Sequence, residues 1–266
     1  MISKPEHEMT AGARPVGAQD EAAAARAVQR MFDTIAPRYD VLNHVLSAGI
    51  DRWWWNRAAR SFRDTLRQPH RVVLDLCCGT GDMALALDKY RPRRDSAPAQ
   101  TATAPTMPAP ILAVDFSHNM LVRGAAKFAS RNIIAIEADA LHLPIASGSL
   151  DLVTSAFGFR NLANYEEGLA ELFRVLAPGG QIGILDCNQP DGVVGALYSL
   201  YFKQVLPKLG GLISGDSGAY SYLPASVERF PRPPRMLHMI CQAGFIQASW
   251  TSYTFGVAGL YRATKP

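Results

Sequence analysis

The chain has 266 residues, of which 48% are hydrophobic and 19% charged, with a formal net charge of +4. That supplies a full apolar core, while the basic residues are scattered apart from RPRR at 91–94, which excludes a nucleic-acid stripe. Four cysteines, Cys77, Cys78, Cys187 and Cys241, lack the spacing of a disulfide framework or zinc site and read as small packing residues.

Residues 1–20 read as a disordered tail. They contain no apolar stretch typical of a secretory signal, and Glu6, Glu8 and Asp20 argue against an organellar presequence. No run reaches the roughly 18 apolar residues of a spanning helix, so the expected location is the cytoplasm. A mildly basic surface suits resting on an anionic membrane at its inner face. Residues 21–35 predict a helix stopped by Pro37, and LSAGIDRWWWNRAARSFRDTL at 46–66 predicts a second amphipathic helical segment. Three adjacent indoles point around a helix and cannot all face one core, so an indole lining a cavity or the surface and plain packing against the main domain are both open readings. Together, 21–70 form a helical cap on the substrate side.

A regular alternation follows. Strands are predicted at 71–77, 108–116, 133–139, 150–159 and 181–187, with helices at 81–90, 117–130 (capped by Ser117) and 164–176. Alternating strands and helices mean βαβ units and a doubly wound, mostly parallel sheet of Rossmann-like α/β type. The Pro/Ala/Thr-rich insert at 91–110 cannot bury a core and reads as a mobile loop remote from the chemistry. Beyond the core at 71–190, the part at 191–266 is less regular. Its stretch 193–213 suits an interfacial helix, a dimer contact or plain core, with Tyr198, Tyr201 and Phe202 beside Lys203 and Lys208. Residues 245–263 are strand-like.

The chemistry concentrates in LDLCCGTGD at 74–82. GTGDMA fits the G-x-G-x-x-G/A fingerprint, so a nicotinamide or flavin dinucleotide competes for this loop. Three features favour S-adenosylmethionine. Asp75, four residues before Gly79, suits the cationic amino group of a methionine moiety and suits a pyrophosphate poorly. Asp115 ends the second strand, where a carboxylate accepts from ribose hydroxyls; it lies 34 residues past Gly81 because of the insert, against about 20 in a dinucleotide fold. Asp139 and Ala140, followed by Leu141, close the third strand where an adenine can be bonded and covered. Asp75, Gly79, Gly81, Asp115 and Asp139 at successive strand ends form a constellation that turn chemistry alone explains poorly.

VLDLCCGTGD, VDFSHNML, ADALHLP, SAFGFRNLANYEEGLAELFRVLAPGG, VLPKLGGLISGD and YSYLPASVERFP closely resemble the ubiquinone/menaquinone biosynthesis C-methyltransferases, from about Val28 to the C-terminus. FDTIAPRYDVLNHVLSAGIDRWWW resembles that family's N-terminal signature. The resemblance implies a class I methyltransferase fold, a prenylated hydroquinone substrate, methylation of a ring carbon, and cofactor positions at Thr80, Asp115, Asp139 and Ala140. A position often serine in the family is Ala156 here. VLPKLGGLISGD looks more like the menaquinone branch, with the benzoquinol of ubiquinone synthesis as the alternative.

Methyl transfer to an arene carbon is favoured by a phenolate, yet phenols titrate near pH 10. Arg160, after the fourth strand, is the candidate for stabilising that anion, with Asn161 orienting the hydroxyl or a water and Tyr39 completing the network by analogy with the family. A surface ion pair of Arg160 with Glu166 or Glu167 is the competing expectation. Rival functions are an NAD-dependent oxidoreductase, unsupported by any Tyr-x-x-x-Lys dyad, and a cofactor-binding scaffold without turnover.

Overall fold

The computed structural model describes residues 12–15, 17–40, 47, 49–92, 108–200 and 218–266. Helix α1 (Glu21–Ile35) starts on Asp20, whose carboxylate accepts from the Ala23 N–H at 2.6 Å, and runs into a 3-10 turn at Ala36–Arg38. Helices α2 (Asp51–Arg60) and α3 (Arg63–Leu66) complete the N-terminal extension. The core then alternates β1 (Val73–Leu76), α4 (Asp82–Asp88), β2 (Ile111–Asp115), α5 (His118–Phe128), β3 (Ile133–Glu137), β4 (Leu150–Ala156), α6 (Tyr165–Val175) and β5 (Leu176–Cys187). Ser117 and Asn164 cap α5 and α6 by accepting backbone N–H groups, as short polar residues do at helix starts. Helices α7 (Gly192–Leu200), α8 (Gly218–Arg229) and α9 (Pro233–Gln242) lead to β6 (Ile246–Tyr253) and β7 (Ala258–Thr264).

The seven strands run in the order β3-β2-β1-β4-β5-β7-β6. The first five are parallel; β7 is antiparallel to both β5 and β6. The strand-like C-terminal stretch is therefore a hairpin slotted against β5, which makes the sheet mostly rather than wholly parallel. The APGG stretch at 177–180, which follows α6, is drawn into the start of β5, with an irregular register between Leu150 and Leu152.

Successive strand residues point to opposite faces, so each face builds its own core. Leu74, Leu76, Val153, Ile182 and Ile184 meet Leu169 and Leu172 of α6 and Met236 and Ile240 of α9. Val73, Ile111, Ala113 and Leu152 meet Trp54, Trp55, Ala58 and Ala59 of α2, and Met83 and Leu87 of α4. The indoles divide as the helix geometry requires: Trp54 and Trp55 are buried and Trp53 is exposed.

The roots of the insert meet at one point. Arg91 reaches the carbonyls of Pro69 and Ala109, and the Ala109 N–H donates to Pro69 O at 2.7 Å. These roots follow α4 and precede β2, at the amino-terminal edge of the sheet. Residues 93–107 of the insert and 201–217, with Tyr201, Phe202, Lys203, Lys208 and the whole of VLPKLGGLISGD, lie outside the described residues, as do residues 1–11 of the tail. No helix among the described residues is long and apolar enough to cross a membrane.

Candidate active site

The strand order reverses between β1 and β4, which opens a crevice at their carboxyl ends. Backbone conformation there is unusual on both sides. After β1, Cys77, Gly79 and Gly81 all have positive φ (53°, 56° and 89°), and after β4 so does Phe157 (58°). The two turns touch: a Cβ built on Gly158 would lie 2.3 Å from Cys77 Cβ, so only glycine fits. A Cβ on Gly81 would lie 2.2 Å from the Phe128 ring, which ties the loop glycine to the packing of α5. Asp115 fastens the loop to β2, accepting the Gly79 N–H at 2.8 Å on Oδ2 and the Ser117 N–H at 2.9 Å on Oδ1.

Two cavities open at this crevice. The larger, about 710 Å³ including its part open to solvent, has an apolar wall including Phe32, Leu76, Met120 and Leu141, and bears Asp115, Asp139, Asn161 and Tyr39 as polar groups. The smaller, about 350 Å³, is lined by Trp55, Asp75, Thr80, Asp82 and Ala156 among others. Tyr39, Cys77 and Phe157 line both and stand at their junction.

The sequence-predicted cofactor residues thus divide between adjoining spaces. Gly79, Asp115, Asp139 and Ala140 line the larger one; Asp75 and Thr80 line the smaller; Gly81 serves the loop turn. Asp75 is fully buried. Thr154 Oγ1 donates to its Oδ1 at 2.9 Å, while Oδ2 has no hydrogen-bond partner among the described residues. Burial raises its pKa to about 7, against the pull of Thr154 and the Ala84 backbone. Asp115 rises to about 6, again through burial, opposed by the N–H groups of Ser117 and Gly79. Asp139 is exposed and accepts the Leu141 N–H at 3.0 Å.

Comparison with known proteins identifies the family. The family model described as ubiE/COQ5 methyltransferase family matches residues 19–265. The chain belongs to this family. It is 43% identical over 261 residues to a demethylmenaquinone methyltransferase of Deinococcus radiodurans, covering 97% of this chain and all of that one. A Thermus thermophilus protein of the same name is 44% identical over 239 residues, covering 89% of this chain and all of that one. A Geotalea daltonii relative, 39% identical over 90% of this chain and 96% of its own, is named ubiquinone/menaquinone biosynthesis C-methyltransferase UbiE. Among solved structures, a SAM-dependent methyltransferase from Thermotoga maritima superposes with TM-score 0.60 at 15% identity, covering 90% of this chain and all of that one. The [4+2]-cyclase SpnF superposes with TM-score 0.59 at 14% identity over 96% of this chain and 99% of its own. The same fold carries different chemistries, so activity has to be argued from the site.

In this ubiE/COQ5 methyltransferase the three residues expected at the chemistry are placed unequally. Asn161 and Tyr39 line the larger cavity. Arg160 lines neither of the two cavities and is buried in a clamp with Asp186. Its Nη1 donates to Asp186 Oδ1 at 2.8 Å and to the Phe157 carbonyl, and its backbone N–H donates to Asp186 Oδ2 at 3.0 Å. The expected alternative, a surface pair with Glu166 or Glu167, is not formed, because the guanidinium turns inward onto a fully buried carboxylate. Burial works against the Arg160 charge, but Asp186 more than restores it, and Tyr39 adds to the field.

Sequence reasoning missed several members. Tyr222 of α8 donates its hydroxyl to Asn161 Oδ1 at 3.1 Å, and burial lifts its pKa to about 12. Thr80 donates to Asp40 Oδ1 at 2.5 Å and accepts from Lys127 Nζ at 2.9 Å. Lys127 also pairs with Asp40 at 2.8 Å and with Asp82 at 3.1 Å. This cluster ties the N-terminal extension to the glycine loop, so Thr80 offers a hydroxyl already shared with protein groups. Asp40 was visible beside Tyr39 in PRYD, yet nothing in its spacing pairs it with Lys127. Cys77 and Cys78 are inert groups of the loop: burial raises the thiol pKa of both well above the ordinary value.

Proposed function

We propose that the chain transfers the methyl group of S-adenosylmethionine to a ring carbon of a prenylated demethylnaphthoquinol, giving a menaquinol. The carrying observation is the larger cavity at the switch point, whose apolar wall bears Asp115 and Asp139 together with Asn161, the last held by the Tyr222 hydroxyl. Relatives 43% and 44% identical to the chain are named for the naphthoquinol reaction, and another at 39% is named for both quinones, so the benzoquinol stands as the second reading.

The residues suit the cofactor. Asp75 Oδ2 is a buried acceptor lacking a partner, in a pocket that a cationic amino group would neutralise. An ionised carboxylate has about four acceptor sites, so Asp115 can take ribose hydroxyls in addition to its two backbone donors. Asp139, Ala140 and Leu141 border the same cavity and would receive the adenine. The bound sulfonium would supply an electrophilic methyl group.

The protein's own part is to hold the quinol oxygen. Tyr222 stays protonated at neutral pH and donates to Asn161 Oδ1, which leaves the Asn161 amide N–H groups to offer to a ring oxygen. Tyr39, at the junction of the two cavities, stands where donor and acceptor would meet. Arg160 acts as a positioning residue: its clamp with Asp186 fixes the turn that carries Asn161, and its charge lends a positive potential to the developing phenolate. The prenyl tail would leave the cavity toward a membrane at the inner face of the cell. The test is anaerobic methyl transfer from labelled S-adenosylmethionine to demethylnaphthoquinol and to the benzoquinol analogue, offered separately. Label in the naphthoquinol supports the proposal, label in the benzoquinol alone selects the second reading, and label in neither refutes both.

A further inference from the structure

The three consecutive tryptophans link the cavities to the surface. Trp54 packs against Phe157 of the cavity wall, with ring centroids 5.6 Å apart, and Trp55 lines the smaller cavity. Trp53 points away and is 48% exposed. Ile50, Trp53, Arg57 and Arg60 recur at helical spacing, share one face of α2 and are all exposed. The Arg57 guanidinium lies 5.0 Å from the Trp53 ring centroid and 4.8 Å from that of Tyr253.

This stripe is fastened to the tip of the β6–β7 hairpin. Trp54 Nε1 donates to Thr254 Oγ1 at 2.9 Å, and the Trp53 and Tyr253 rings are 5.7 Å apart. At the tip, Thr254, Phe255 and Gly256 have φ of 46°, 55° and 92°. β-Branched and aromatic residues seldom adopt that conformation, and here it leaves Phe255 83% exposed. Pro190 lies 3.6 Å from a Cβ built on Gly256, so the apolar helix α7, with Leu200 exposed, begins beside the tip.

Charge surrounds these apolar groups. Arg52, Arg57, Arg60, Arg63 and Arg67 are exposed along α2, α3 and the residue after them, and Asp64 is the exposed acid among them, since Asp51 is buried. Protruding Trp and Phe side chains beside a run of exposed arginines are what an anionic bilayer surface recognises. A second copy is disfavoured, because a two-fold contact through this face would set arginine against arginine.

We propose that Trp53, Phe255 and Ile50, with Arg52, Arg57 and Arg60 around them, form the surface on which the protein docks to an anionic lipid bilayer. The proposal deepens the quinol reading and rests on it for its purpose: the same helix that meets the lipid walls the cavities, so a prenylated quinol has a short path from bilayer to site.

The experiment mixes the full chain with phosphatidylglycerol/phosphatidylcholine vesicles or pure phosphatidylcholine vesicles. It reads sedimentation and the quenching of tryptophan fluorescence by brominated acyl chains. Binding to the anionic vesicles, weakened by salt, is expected. Trp53→Gln with Phe255→Asn, the asparagine tolerating left-handed backbone, should lower binding ~10-fold or more through loss of buried apolar area. Arg52→Glu with Arg60→Glu should abolish the preference for anionic lipid, and Trp53→Phe should remove most of the quenchable fluorescence while binding persists. Both double variants should keep turnover of a short-tailed, water-soluble quinol without vesicles. No vesicle binding by the unaltered chain, or equal binding by the variants, overturns the proposal. So does a change from dimer to monomer with vesicle binding intact, which would make the face a contact between copies. Vesicle binding without quinol turnover keeps the docking surface and removes the substrate reading, whereas turnover without vesicle binding does the reverse.

Discussion

Replacing Asp75 by asparagine should make the protein more stable and a poorer binder of its cofactor. The carboxyl titrates at about 7 in the folded chain against an ordinary value of 3.8, with burial the main cause. Between those values the native state holds a proton that the unfolded chain has lost. Stability therefore falls as pH rises from about 4 to about 7 and is level above that range. At about 1.4 kcal/mol for each tenfold change in proton affinity, the full penalty is about 4 kcal/mol. The amide keeps an oxygen to accept from Thr154, and near pH 4 it is compared with a neutral acid of the same shape, so the two proteins should there be nearly equal. Urea unfolding of the cofactor-free proteins at pH 4.5, 6 and 8 should show the variant gaining steadily, by up to about 4 kcal/mol at pH 8. Calorimetric titration at pH 8 should show S-adenosylmethionine bound roughly tenfold or more weakly, the loss of one charge-assisted bond of about 1.5–3 kcal/mol. A stability gap that does not widen between pH 4.5 and 8 would refute the burial argument. Unchanged affinity would refute the placing of the amino group beside Asp75.

Asp115→Ala should weaken the cofactor by about 1.5–3 kcal/mol for each ribose bond lost, on direct titration. It should also lower the melting temperature, because Gly79 and Ser117 lose their acceptor. Arg160→Ala leaves the buried Asp186 carboxylate unpaired and should cost about 3–5 kcal/mol of stability in urea unfolding, so its lost activity would not report a role in chemistry. Asn161→Ala is the cleaner probe: turnover should fall ~10–100-fold with cofactor affinity nearly unchanged, since Asn161 lines the cavity and stands outside the clamp, while the loss of the Tyr222 acceptor should cost only about 1–3 kcal/mol of stability. Alkylation of the native protein at pH 8 should modify the exposed Cys241 rapidly and Cys77, Cys78 and Cys187 slowly, as burial raises the last three thiols, that of Cys187 to about 12. Mass mapping of the labelled peptides checks the order.

The sequence by itself determined the doubly wound fold, because a buried parallel sheet leaves a strong local trace: short apolar runs, glycine loops and capping residues such as Ser117 and Asn164. It also placed the glycine loop and the acids that follow it at the carboxyl edge of the sheet, since those residues sit at strand ends that the alternation fixes. The antiparallel hairpin at the C-terminus was legible only as apolar character, as nothing local says which neighbour a strand will choose. The tertiary structure decided the partners. Arg160 could be read as cavity-facing or surface-paired from FGFRN alone, and only β5, arriving 26 residues later with Asp186, turned it inward. Tyr222 reached Asn161, and Lys127 reached Asp40 and Thr80, across similarly long separations. Trp53 faces out because the helix turns Trp54 and Trp55 onto the core and leaves the third indole on the outer side. Periodicity is a property of neighbours in the chain, whereas the pairing of buried charges and hydroxyls is a property of neighbours in space, set once the sheet has closed its order.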